Sequence, residues 1–148
     1  MRTIPINPLT QALIQPMIAA SLPEGFGFVQ RLWDDYLLGV QTFSEPGAAL
    51  LGIFEEEACL AIGGVHPDPY LNDPQIGRIR HVYVLPDYRR HGLGRQLMTA
   101  LIDHASGHFS TLTLRTLTKE AAAFYVSLGF SDVPRYDQAT HWLDIGNT

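Results

Sequence analysis

At 148 residues, 46% hydrophobic and 17% charged, the chain has the length and make-up of one globular domain with a buried core, and is short for two. A net charge of -5 argues against general nucleic-acid binding, and no apolar run approaches the roughly 20 residues that a membrane-spanning helix needs. A single cysteine, Cys59, allows no internal disulfide, which suits a reducing cytoplasm. The early apolar segment is broken by Gln15 and Pro16 and makes a poor secretion signal.

In chain order, Arg2 to Ile6 reads as a first strand, and Asn7 before Pro8 reads as a helix start, with Asn as cap and Pro in the first turn. Between Phe28 and Val40, apolar residues at Leu32, Trp33, Tyr36, Leu37 and Val40 recur at helical spacing. ALLGIF, EEE and ACLAIGGV then predict a β-hairpin with an acidic tip, in which Cys59 is a buried, inert thiol. The stretch HPDPYLNDPQIG is dense in turn formers, and RIRHVYVL follows as a strand. From Gly92 a helix is expected, with Leu93, Leu97, Leu101 and Ala105 on one stripe. Thr111 to Leu117 alternates as a strand. Thr118 caps a short helix, KEAAAFYVSL, stopped by Gly129, and HWLDI forms a last strand. There is no repeat, low-complexity tract or linker, so residues 1–148 are expected to form one domain.

Charge placement is more informative than net charge. Five of the ten basic residues, Arg78, Arg80, Arg89, Arg90 and Arg95, crowd between positions 78 and 95 with Asp87 as the only acid among them. Most carboxylates of the first half, including Asp34, Asp35, Glu45 and Glu55 to Glu57, suit a solvated face, the alternative being that they attract a cationic amine. The basic crowd falls where a strand becomes a helix. The first amides of a helix have no partner inside it, and its dipole places partial positive charge there. Gly92 and Gly94 clear the approach to the main chain, and arginine grips phosphate through paired hydrogen bonds. A phosphate or diphosphate is the expected guest. Two common phosphate motifs fail: the chain has no Gly-Lys pair for a nucleoside triphosphate loop, and Leu97 stands where a dinucleotide fingerprint wants its third glycine.

The pattern that does match is R-x-x-G-x-G from Arg89 to Gly94, directly after the strand ending VYVLP, followed downstream by AAAFYVSLGF from Ala121 to Phe130. Together, in order and spacing, the two segments resemble the GNAT superfamily of acetyl-coenzyme A-dependent N-acetyltransferases, specifically between about Gly77 and Phe130. The resemblance implies an α/β fold: a mixed, mostly antiparallel sheet of six to seven strands flanked by helices and splayed at the cofactor strand. It implies that Val82, Tyr83 and Val84 offer main chain to the pantetheine arm. It also implies that Arg89, Arg90, His91, Gly92, Leu93, Gly94 and Arg95 hold the diphosphate. Acetyl-coenzyme A is then the cosubstrate, and a free amine attacks its thioester carbonyl directly in a ternary complex. Amides aimed at the carbonyl oxygen would stabilise the charge that develops there.

By the same resemblance Tyr125 lies near the leaving sulfur. Full proton transfer from a tyrosine of pKa roughly 10 to the thiolate of a thiol near 8.5 is uphill by about 2 kcal/mol, so a hydrogen bond that strengthens as charge builds is the role assigned to it. Some relatives carry a glutamate base on the cofactor strand; Arg78 stands there here. The base is left open among His81, His66, His141 and water. Thr118 replaces the asparagine that often contacts the cofactor. His104 and His108 are four apart, but Gly107 intervenes and no metal is expected. Partners are a small-molecule amine acceptor, shaped in part by Pro23 to Pro46, with no nucleic acid and no membrane; exposed sheet edges would allow a homodimer. The alternatives are a protein acetyltransferase acting on lysines or N-termini, and a non-catalytic acyl-coenzyme A binding module.

Overall fold

The computed structural model describes residues 1–146. Six strands form one sheet in chain order: β1 (Arg2–Pro5), β2 (Ala49–Glu55), β3 (Ala58–Pro67), β4 (Ile76–Val84), β5 (Thr111–Leu114) and β6 (His141–Asp144). Every neighbouring pair is antiparallel except β4 and β5. The α-helices are α1 (Gln11–Ser21), α2 (Phe28–Leu38), α3 (Leu93–Ala105) and α4 (Lys119–Ser127). The sheet is the mixed, mostly antiparallel one expected, with six strands.

Both faces of the sheet are covered. On one, α1 and α2 pack Ile14, Met17, Val29 and Leu32 against Leu50, Ile62 and Tyr83. On the other, the stripe Leu93, Leu97, Leu101 and Ala105 of α3 joins Ile53, Leu60, Ile79, Leu112 and the Tyr125 and Phe130 rings. Because β3 is buried on both faces, its sequence is a continuous apolar run rather than an alternating one. Cys59 is buried within it, donates to the Ala61 carbonyl, and burial pushes its thiol up to about 12, as an inert cysteine requires.

Three boundaries differ from the sequence reading. The first helix begins at Gln11, not near Pro8, because the Thr10 hydroxyl accepts from the Leu13 amide and caps it; Pro16 lies inside this helix. The second ends at Leu38, where Gly39 takes a left-handed conformation. Strand β5 stops at Leu114 rather than Leu117, and Leu117 is exposed. That early stop leaves the second half of β4 without a neighbour on one side.

Two features of β4 position the site. It pairs with β5 only through Ile76, Gly77 and Arg78, opposite Thr111, Leu112 and Thr113; beyond Arg78 the strands part. On its other side the register with β3 slips between Ile62 and Gly64, so that His81 and Val82 bulge and His81 adopts a φ of 61°. The strand therefore opens a gap in the sheet and bends at it.

Candidate active site

The gap is a cavity of about 1020 Å³ lined from both faces of the sheet, by Phe26, Phe28 and Arg31 on the α1–α2 side and by Phe124 and Tyr125 on the α4 side. Ten of the eleven residues singled out in the sequence line it: Val82, Tyr83, Val84, Arg89, Arg90, Gly92, Leu93, Gly94, Arg95 and Tyr125; His91 does not.

At one end stands the N-terminus of α3. Gly92 is its N-cap at a φ of 80°, with open space where a Cβ would sit, and no side chain caps the helix. Its first amides are thus free for a ligand. A Cβ on Gly94 would approach the Phe124 ring to 3.3 Å, so this glycine keeps α3 and α4 close. Leu93 turns its side chain into the core and offers only main chain. Arg90 is exposed and has no ion pair or hydrogen bond among the described residues; Arg95 reaches the Ser127 hydroxyl at 3.3 Å.

Arg89 is engaged elsewhere. Its two terminal nitrogens grip the Glu24 carboxylate at 2.6 and 2.9 Å, and Nε donates to the Val84 carbonyl at 3.0 Å. The Tyr83 hydroxyl donates to the same carboxylate at 2.6 Å. Arg89 holds Glu24 well below the usual carboxylate range, and burial with the neighbouring carboxylate pushes the Tyr83 phenol up. Sequence reasoning missed Glu24, which no motif marks and which lies 65 residues from its partner.

Where β4 and β5 still touch, Asp68 and Arg78 are buried together. Asp68 accepts from the Thr113 hydroxyl, the Tyr70 amide and Arg78, while Arg78 also donates to the Gln138 carbonyl and lies over the Tyr70 ring. The position where relatives carry a carboxylate is therefore a structural cation.

Tyr125 is buried with its ring against Phe124, Phe130 and His141, and its hydroxyl has no hydrogen-bond partner among the described residues. Burial raises its pKa, so the phenol is a neutral donor facing the cavity. Of the three histidines considered as bases, only His81 lines the cavity. Burial, with Arg80, His66 and Arg31 nearby, pulls His81 down to about 3. His66 is buried against Phe43 and is also pulled down by burial, and His141 is tied through Nδ1 to the Thr140 hydroxyl at 2.8 Å. Thr118 accepts from the Ala121 amide and caps α4 at the cavity wall. The His104 and His108 rings lie 5.2 Å apart, but no metal-ligating cluster occurs among the described residues.

Comparison with known proteins fits this geometry. Residues 14–130 match the Acetyltransferase (GNAT) family. The chain belongs to that family. A protein of Exiguobacterium sp. 255-15 assigned to the acetyltransferases shares 32% identity over 97% of this chain and 92% of its own, with a TM-score of 0.83. The ribosomal-protein-S18-alanine N-acetyltransferase of Escherichia coli shares the fold at 18% identity, over 99% of this chain and 95% of its own, with a TM-score of 0.69. An aminoglycoside 6'-N-acetyltransferase complexed with coenzyme A does so at 14% identity, 98% and 97% coverage and a TM-score of 0.70. No curated protein matches the chain. As a GNAT acetyltransferase the protein is an acyltransferase that uses an acyl-coenzyme A. Among its described residues no helix is long and apolar enough to cross a membrane.

Proposed function

We propose that this enzyme moves an acetyl group from acetyl-coenzyme A to the primary amine of a small, amino-acid-like acceptor, by direct attack in a ternary complex. The observation that carries the reading is one continuous cavity joining an uncapped, arginine-flanked helix N-terminus to Tyr125 along the stretch of strand that has lost its β5 neighbour. Bound acetyl-coenzyme A would supply the activated thioester carbonyl and a thiolate leaving group. The amides from Gly92 to Arg95, with Arg90, Arg95 and the exposed His91, suit its diphosphate. Between Val82 and Val84 the strand, having lost β5, keeps main-chain groups on its open side for an extended ligand, apart from the Val84 carbonyl, which accepts from Arg89 Nε. Arg89 contributes by fixing that strand through Glu24 and Val84 rather than by holding phosphate.

Tyr125 donates a hydrogen bond at the leaving sulfur. The acceptor loses its proton to water: taking one from an alkylammonium of pKa roughly 10.4 onto His81, whose pKa is about 3, costs about 10 kcal/mol. A small acceptor suits the aromatic and guanidinium lining that Phe26, Phe28, Arg31 and Tyr70 add to the cavity.

Calorimetry with acetyl-coenzyme A tests the assignment, alongside thiol release measured against a panel of amines and peptides. Gly92→Asp sets a carboxylate at the helix N-terminus; the added Cβ meets open space but is strained at a φ of 80°, by roughly 1–2 kcal/mol, so a thermal melt accompanies the binding measurement. Its affinity for acetyl-coenzyme A should drop at least a hundredfold; unaltered affinity would refute the loop's role.

A further inference from the structure

The cavity is unusual in its charge. Seven of the nine arginines in the chain line it, against one acidic residue, Glu120. Several have assigned work: Arg78 is paired with Asp68, Arg89 with Glu24, Arg95 reaches Ser127 and Arg115 reaches Gln138, and Arg90 stands at the diphosphate end. Two remain. Arg31 on α2 and Arg80 on β4 line the other end and have no ion pair or hydrogen bond among the described residues. They come from different elements yet both lie within electrostatic reach of His81.

Arg80 sits four residues before Val84, about 13 Å of extended strand, and the helix N-terminus lies farther on. A diphosphate held at Gly92 is too distant to neutralise it. Nearby carboxylates do not serve either. Glu24 is consumed by Arg89 and Tyr83, and Glu45 does not line the cavity and is held by Gln41 at 3.2 Å. Two guanidinium groups facing one recess without a counter-charge are what an anionic ligand requires.

Resting on the acetyltransferase reading, we propose that Arg31 and Arg80 form an anion-recognition site for the acceptor, so that the enzyme acetylates amines that carry a carboxylate or phosphate close to the amine. The acceptor's own anion offsets the repulsion between its ammonium form and the two arginines during binding. A polycation without an anion is turned away.

The test compares matched acceptors by kcat/KM: alanine with alaninamide, β-alanine with β-alaninamide, and phosphoethanolamine with ethanolamine. Amides carry less basic amines, so the amide arms start with a chemical advantage. At least one acid should exceed its neutral partner tenfold or more, the carboxylate and phosphate arms telling which anion is read. Arg31→Gln and Arg80→Gln should each cut that ratio at least fivefold, and Arg80→Lys should recover part of it. Calorimetric Kd for acetyl-coenzyme A should stay within about twofold in all three variants. Neutral partners equal to or better than every acid would overturn the proposal. So would an unchanged ratio in both glutamine variants, or a loss of acetyl-coenzyme A affinity without a change in ratio. If the wild-type protein binds no acetyl-coenzyme A at all, the acetyltransferase reading fails instead, and calorimetry separates the two failures.

Discussion

Tyr125 combines a packing role with the chemistry proposed for it. Its ring belongs to the core against Phe130 and Leu114, while its hydroxyl, unpaired among the described residues, faces the cavity. The hydroxyl is open to the cavity, where water can pair with it, so removing it strips no buried hydrogen bond. Replacing Tyr125 by Phe keeps the ring packing and should therefore change the melting temperature little. Turnover should fall at least tenfold, with acetyl-coenzyme A binding within about twofold of wild type, as read by steady-state kinetics and calorimetry. Equal losses in both would mark a packing role. Because burial raises its pKa, the phenol stays protonated above the ordinary tyrosine value, so ionisation of Tyr125 imposes no alkaline limb on kcat below about pH 10. The FY pair of the second motif made this residue legible in the sequence. Nothing in the sequence reveals that its hydroxyl lacks a partner, since that depends on which side chains of α4, β5 and β6 fail to reach it.

Strand β4 is held in its parted position by a clasp from another element. Glu24, in the 3-10 turn Leu22–Glu24 between α1 and α2, joins Arg89 and the Tyr83 hydroxyl and so ties the α1–α2 side of the fold to the end of β4. Glu24→Gln keeps the shape and removes the charge. The side chains are 25% and 38% exposed, so solvent screening limits the loss to about 1 kcal/mol, or about 2–4 °C in Tm for a chain of this size. Since the folded-state pKa of Glu24 is lowered, its contribution is present above the ordinary glutamate value and is lost as pH falls through the depressed one. Thermal melts of wild type and variant should differ at pH 7 and converge as pH falls below the ordinary glutamate range. A constant gap would mean that the carboxylate's charge is irrelevant. Elements with strong local signals were legible in the sequence: the α3 stripe, the Thr118 cap, the hairpin of β2 and β3 with its acidic tip. The clasp, the bulge at His81 and the early end of β5 were not. Each depends on a partner tens of residues away, or on a strand's losing its neighbour, and local pattern carries no trace of either.

Across the whole molecule the charges are sorted rather than mixed. Seven of the ten basic side chains but one of the fifteen acidic ones line the cavity, leaving three and fourteen for the rest of the chain. The crowd of arginines between 78 and 95 was visible in the sequence; that Arg31 and Arg115 join it was not, because α2 and the segment after β5 meet β4 only in the fold. An acidic exterior around a cationic recess repels a polyanion such as coenzyme A at long range and draws it in at short range, where the low-dielectric walls of the recess strengthen the attraction. Salt acts on both parts. Its Debye length falls from roughly 30 Å at 0.01 M to 3 Å at 1 M, so the exterior's repulsion is screened first and the recess, partly enclosed, is screened later and less. Association of acetyl-coenzyme A should accordingly rise or hold level up to moderate salt and then fall severalfold at high salt. Acetyl-pantetheine, which carries no phosphate, should respond to neither. Stopped-flow association rates from 10 mM to 1 M salt decide it. A monotonic fall from the lowest salt would mean that the exterior charge is too diffuse to matter and the recess alone steers, whereas equal behaviour of the two thioesters would remove phosphate recognition from the cavity altogether.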